Sequence, residues 1–163
     1  MKKALLWINL VVLGLLIFSG CSSKKSDRPP TPSTKGHTVK FTVTVIGSVA
    51  APNAGLINLG FGGGDATNPQ NSTIRKLNTV VQNNESNLVF NATTFPQGKT
   101  TTITIESVVP IFEPVAGLTF GNVSGFTPYT ISFKAEIDGQ VKTDDENISI
   151  TAANEYIHTY SYQ

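Results

Sequence analysis

Two histidines, one cysteine and eleven carboxylates bound the chemistry open to this 163-residue chain. Hydrolysis of the Ser-His-Asp kind needs a base beside a nucleophile with an acid behind it. His158 stands among Tyr156, Tyr160 and Tyr162, whereas His37 lies where a polar segment meets the first apolar run. No Gly-x-Ser-x-Gly elbow presents a serine to either imidazole. His158 is therefore expected as an edge-strand residue, no catalytic residue is assigned, and two histidines are too few for a multi-histidine metal centre. Asp138, Asp144, Asp145 and Glu146, with Asn147, carry the oxygen ligands that calcium takes, but their spacing is not that of an EF-hand. They are expected at a solvated hairpin tip, with calcium as the alternative; no metal or other cofactor is assigned. Gly60, Gly62, Gly63 and Gly64 lack the Gly-Lys-Ser/Thr continuation of a phosphate loop and predict instead a bulge or bend at the end of a strand. The best binding hint is the stripe Tyr156, His158, Tyr160, Tyr162, whose members share one face of an extended strand about 6.6 Å apart. Such amphipathic rings suit a protein or glycan surface; alternatively they cap one end of a core with their hydroxyls toward solvent.

The elements that must position these residues are strands. Val39, Phe41, Val43 and Val45 alternate with Lys40, Thr42 and Thr44, and Tyr129, Ile131, Phe133, Ala135 and Ile137 alternate with Thr130, Ser132, Lys134 and Glu136. A period of two with one apolar face defines a half-buried strand. Further strands are predicted at 56–61, 73–81, 88–90, 99–109, 140–143, 148–150 and 156–162, the face of 73–81 being ambiguous. Asp138-Gly139 is a hairpin signal, and Asp144 to Asn147 reads as a further turn. Residues 110–128, rich in proline and glycine, read as a winding crossover with at most one short strand at 117–121. With no helical stripe beyond residue 21, the expected fold is all-β: an antiparallel β-sandwich of seven to nine strands, immunoglobulin-like or transthyretin-like, with a small closed barrel as the runner-up. The core tryptophan and paired cysteines of true immunoglobulin domains are missing.

Location is written at the N-terminus. Met1-Lys2-Lys3 is followed by an apolar run from Ala4 to Phe18 and then Ser19-Gly20-Cys21. Charge, apolar core and small residues make a secretory signal, and the run is short of the roughly 20 residues that span a bilayer. The segment Phe18-Ser19-Gly20-Cys21 resembles the lipobox of bacterial lipoproteins. That resemblance implies a diacylglycerol on the thiol of Cys21, cleavage before it and acylation of the new amine. It covers only the first two dozen residues; Ser22 after the cysteine favours the outer membrane in Gram-negative members of the family. The domains expected are thus a signal peptide at 1–20, a lipidated cysteine and flexible tether at 21–36, and a β-sandwich at 37–163.

Cleavage would remove Trp7 and shift the formal charge from +1 to −1 by taking Lys2 and Lys3. Lipidation would consume the sole thiol, excluding disulfides and cysteine nucleophiles. Residues 22–36 hold three prolines and no large apolar side chain, the composition of a tether. The basic residues of 37–163 are outnumbered by ten acids, so nucleic acid is not an expected partner, and Arg75-Lys76 is expected as a solvated surface pair. The function expected is that of a non-enzymatic cell-envelope lipoprotein, held to membrane lipid through Cys21, whose sandwich binds a protein partner or supports a surface assembly. A glycan-binding accessory module is the alternative, and a hydrolase using His158 the third.

Overall fold

The computed structural model describes residues 35–47, 56–96 and 98–163, and these form an antiparallel β-sandwich. Cys21, the signal, all of the tether before Lys35 and the Pro52-Asn53 turn lie outside the described residues. Ten strands follow one another: β1 Val39–Ile46, β2 Ile57–Asp65, β3 Arg75–Leu77, β4 Val80–Gln82, β5 Leu88–Asn91, β6 Thr101–Ser107, β7 Ile111–Phe120, β8 Tyr129–Ile137, β9 Gln140–Ile150 and β10 Tyr156–Ser161. One sheet has the order β4-β3-β6-β1-β8-β9 and the other β10-β7-β2-β5.

The alternation seen in the sequence decides the layers. Val39, Phe41, Val43 and Val45 of β1 and the five apolar residues of β8 are buried, facing Ile57, Leu59 and Phe61 of β2 and Ala116, Leu118 and Phe120 of β7. Phe41 joins the two layers, its ring centroid 5.4 Å from Phe61 and 6.1 Å from Phe133. Each such side chain contributes about 1.5–3 kcal/mol by leaving water. Tyr129 is buried with them and donates its hydroxyl to the Gly121 carbonyl at 2.7 Å, so the phenol is satisfied, and burial pushes its ionisation well above the usual range.

Three segments depart from expectation, and the strands number ten where seven to nine were expected. Residues 111–120 are a full central strand, not a crossover. Pro114 fits there because the β2–β7 ladder is irregular between Gly62 and Gly64, opposite Glu113 and Pro114, and a bulge asks no amide of proline. Gly63 takes φ +125 in that irregularity, a conformation open to glycine, which agrees with the bulge expected of the glycine run. Residues 73–81 are a hairpin, not one strand: Asn78 and Thr79 have φ 46 and 79, and β3 turns back into β4. Asp144 to Asn147 form no turn; they lie inside β9, which spans eleven residues. The Asp138-Gly139 hairpin forms as expected, with φ 53 and 74.

Arg75 also departs from expectation. Its register opposite Ser107 turns it inward, and it is 2% exposed, while Lys76 faces out and meets Glu106 at 2.5 Å. The guanidinium donates to the carbonyls of Ser86 and Gly63, and burial lowers its pKa to about 10.

Candidate functional site

The side of the sandwich between β9 and β10 holds most of the residues that the sequence singled out. β10 pairs with β7 so that Tyr156 faces Phe120, His158 faces Leu118 and Tyr160 faces Ala116. The stripe therefore turns toward the core, and Ile157, on the opposite face, is 63% exposed. Because β10 is an edge strand, its inward side chains reach into the open side of the sandwich. Tyr156 is buried, Tyr160 and Tyr162 are half-buried, and His158 is exposed. Their rings follow one another: His158 lies 4.3 Å from Tyr156 at a tilt, and stacks at 5.7 Å on Tyr160, which stacks at 6.3 Å on Tyr162. Phe133 and Phe41 back the ladder at 5.3 and 5.9 Å.

Asp145 closes the opening from β9. It sits opposite Phe133 and so turns inward, where its Oδ2 accepts the hydroxyls of Tyr156 and Tyr160, each at 2.6 Å. The two phenol oxygens are 2.8 Å apart. With Asp145 ionised, two protons serve three oxygen–oxygen contacts, so the tyrosine pair is drawn together by a shared acceptor and not by a third hydrogen bond. Burial raises the Asp145 pKa and the two phenols lower it, and the balance falls below the usual carboxylate value. Both phenols are held above their usual value, first by burial and then by the carboxylate. Tyr162 meets Thr143 of β9 through its hydroxyl at 2.9 Å. The tyrosine hydroxyls are thus engaged within the fold, and what the ladder offers to solvent is the His158 imidazole. His158 makes no hydrogen bond among the described residues, so no triad is assembled around it.

The four acids considered for calcium divide among three separate places. Asp138, at the β8–β9 turn, accepts from His37 Nδ1 at 2.8 Å and from the Thr38 amide at 3.0 Å. The His37 contact and the Thr38 amide hold its pKa below the usual range. Asp145 belongs to the tyrosines. Asp144 and Glu146 face outward on β9 and line a polar hollow with Thr42, Thr44, Lys134 and Asn147. Among the described residues no three acidic, histidine or cysteine side chains are grouped as a metal would need.

No protein-family model, curated protein or solved structure matches the chain. What stands is the architecture, an antiparallel β-sandwich consistent with a protein-binding or structural module. The pairing of His37 with Asp138 escaped the sequence, since a hundred residues separate the partners and His37 stands at the junction with the tether; it is 8% exposed. Asp145 as the partner of Tyr156 and Tyr160 was hidden for the opposite reason, because it sat in an acidic run that resembled a turn.

Proposed function

We propose that the protein is a lipid-anchored component of the cell envelope, at the outer membrane or cell surface, whose sandwich docks a protein partner or supports a surface assembly without catalysis. The observation that supports docking is the character of the edge strands. β4 exposes Val80 (63%) and Val81 (44%), β5 exposes Val89 (70%), and β10 exposes Ile157 (63%). An edge strand presents unpaired N–H and C=O groups, and proteins that avoid association blunt such edges with charge. Here charge concentrates on β9, which carries Asp144, Asp145 and Glu146, while the other three edges carry branched apolar side chains beside open backbone. An extended segment of a partner could add to such an edge through main-chain bonds and seat its apolar residues beside these valines.

Attachment rests on the lipobox. Two or three acyl chains on Cys21, at about 0.8 kcal/mol per buried CH₂, hold a protein on a membrane durably where one does not. The test is recovery of the full chain, Cys21 intact, from detergent-solubilised membranes. One stoichiometric partner is expected, and Val89→Lys or Ile157→Lys should release it. Recovery of the chain alone, or of a partner indifferent to both substitutions, would count against docking at these edges. Labelled fatty acid should enter the wild type but not Cys21→Ser; equal labelling would sink the anchor.

A further inference from the structure

On the outer face of the six-stranded sheet, Thr42 of β1 stands opposite Lys134 of β8, which stands opposite Asp144 of β9. The β8–β9 ladder then slips: Phe133 pairs with Asp145 and Ile131 with Ile148, so Glu146 and Asn147 together face Ser132 alone. Asn147 takes φ 55, and its freed amide is satisfied by the Ser132 hydroxyl at 3.0 Å. Bulges of this kind re-aim side chains. This one keeps Asp145 and Ile148 both inward, and gathers Asp144, Glu146 and Asn147 around a hollow of about 280 Å³ whose floor and far wall include Thr42, Thr44 and Lys134.

The charges on this hollow are unspent. At the other end of the same face Glu106 is paired with Lys40 at 3.6 Å and Lys76 at 2.5 Å. Lys134, Asp144 and Glu146 form no ion pair among the described residues, although all three border one space. An ammonium donor, two carboxylate acceptors, an amide and the hydroxyls of Thr42, Thr44 and Ser132 border this space, the Thr44 hydroxyl also meeting that of Thr102 at 3.0 Å. Lys134 repels a divalent cation, and the two carboxylates repel an anion. A neutral ligand dense in both donors and acceptors can meet all of these groups at once. An acetamido sugar brings a carbonyl for Lys134, an N–H for a carboxylate and ring hydroxyls for Asn147 and Thr42. A second hollow of about 260 Å³, bordered by Lys40, Glu106 and Glu136, lies toward the start of β1, which leaves room for further units.

We infer that this trough binds a glycan through an N-acetylhexosamine unit seated between Lys134 of β8 and Asp144 and Glu146 of β9. The site is independent of the edge strands proposed for docking. The full chain in detergent, with EDTA present, is titrated calorimetrically with chitotetraose and, separately, with cellotetraose, which lacks the acetamido group. Saturable chitotetraose binding is expected, with cellotetraose about tenfold weaker or more, the worth of one hydrogen bond to a charged group. Lys134→Met and the pair Asp144→Asn with Glu146→Gln should each weaken chitotetraose by about tenfold with melting temperature unchanged. Should either variant fail to fold, Thr42→Val, outward and nearly isosteric, serves in its place and should weaken binding severalfold. Val89→Lys should bind chitotetraose as the wild type does. Absence of saturable binding, equal affinity for the two sugars, wild-type affinity in the variants, or binding that appears only when calcium replaces EDTA would each overturn the assignment.

Discussion

Replacing Asp145 by alanine tests the closure of the sandwich directly. Its Oδ2 accepts two hydroxyls at 2.6 Å, from a buried Tyr156 and a half-buried Tyr160. Hydrogen bonds to a charged group contribute about 1.5–3 kcal/mol each. The loss is less than twice that, since the two phenols are already 2.8 Å apart and one can donate to the other once the carboxylate is gone. One hydroxyl is still left without an acceptor, so Asp145→Ala should cost about 2–4 kcal/mol. For a domain of this size that lowers the melting temperature by roughly 8–16 °C. Asp145→Asn keeps an acceptor and loses the charge, and should fall between alanine and wild type. A double-mutant cycle with Tyr156→Phe, read by urea denaturation, should return a coupling of about 1–2 kcal/mol. The pH dependence has a definite sign. The folded Asp145 pKa lies below its unfolded value, so its stabilisation is present above about pH 4 and is lost as pH falls through the folded value. The folded phenols are raised, so theirs is present below about pH 10 and is lost as pH rises through the folded values. The gap between wild type and Asp145→Ala should therefore be widest near neutrality. A coupling below about 0.3 kcal/mol, within the scatter of independent sites, or a gap unchanged in acid would refute the reasoning.

Asp65, buried at the end of β2, accepts from the amides of Thr67 and Asn68 and from the side chains of Thr67 and Asn71, which together bring its pKa down to about 2. Asp65→Asn should therefore be destabilised at pH 7, with the deficit vanishing as pH falls from about 4 toward 2, as followed by acid unfolding. Gly63→Ala forces a Cβ to 2.6 Å from Ile111 Cγ2 at φ +125, and should cost about 1–3 kcal/mol in a urea titration. His37→Leu removes a donor from an Asp138 side chain that is 43% exposed, so solvent screening holds the loss to about 1 kcal/mol or less; hydrogen exchange at the Thr38 amide should speed up more than global unfolding does.

The parts of the fold legible in the sequence are those where burial is one-sided. β1 and β8 alternate because one face meets the core and the other water, and the Asp138-Gly139 turn is announced by the backbone conformation that its residues tolerate. β7 was illegible because Pro114 and Gly117 argue against a central strand unless Pro114 is known to lie in a bulge, and that bulge is defined only by the pairing of Glu113 and Pro114 against Gly63, fifty residues away in β2. The acidic stretch of β9 failed by the same logic: local polarity suggests a turn, and only the tyrosines of β10 explain a carboxylate pointing inward. The stripe itself was recognised as a stripe. Of its two readings the one that caps the core holds, since pairing with β7 turns the rings inward, but the hydroxyls meet Asp145 and Thr143 and not solvent.

Both open sides of the sandwich turn out to be closed by a charge that faces inward and is met by neutral partners. On one side Asp145 of β9 holds two phenols of β10; on the other, Arg75 of β3 holds the Gly63 carbonyl of β2 and the Ser86 carbonyl just before β5. Each joins one sheet to the other where backbone ladders cannot, because the strands there belong to different layers. Removing either charge leaves polar groups unsatisfied, whereas replacing a whole cluster by apolar residues of the same shape need not cost stability. Such clusters therefore constrain which strand lies over which more than they add to the free energy of folding. With the openings occupied from within, the glycan trough and the docking edges proposed above both fall on the outer sheet faces and strand edges, where the unpaired charges of Lys134, Asp144 and Glu146 and the exposed valines of β4 and β5 are found.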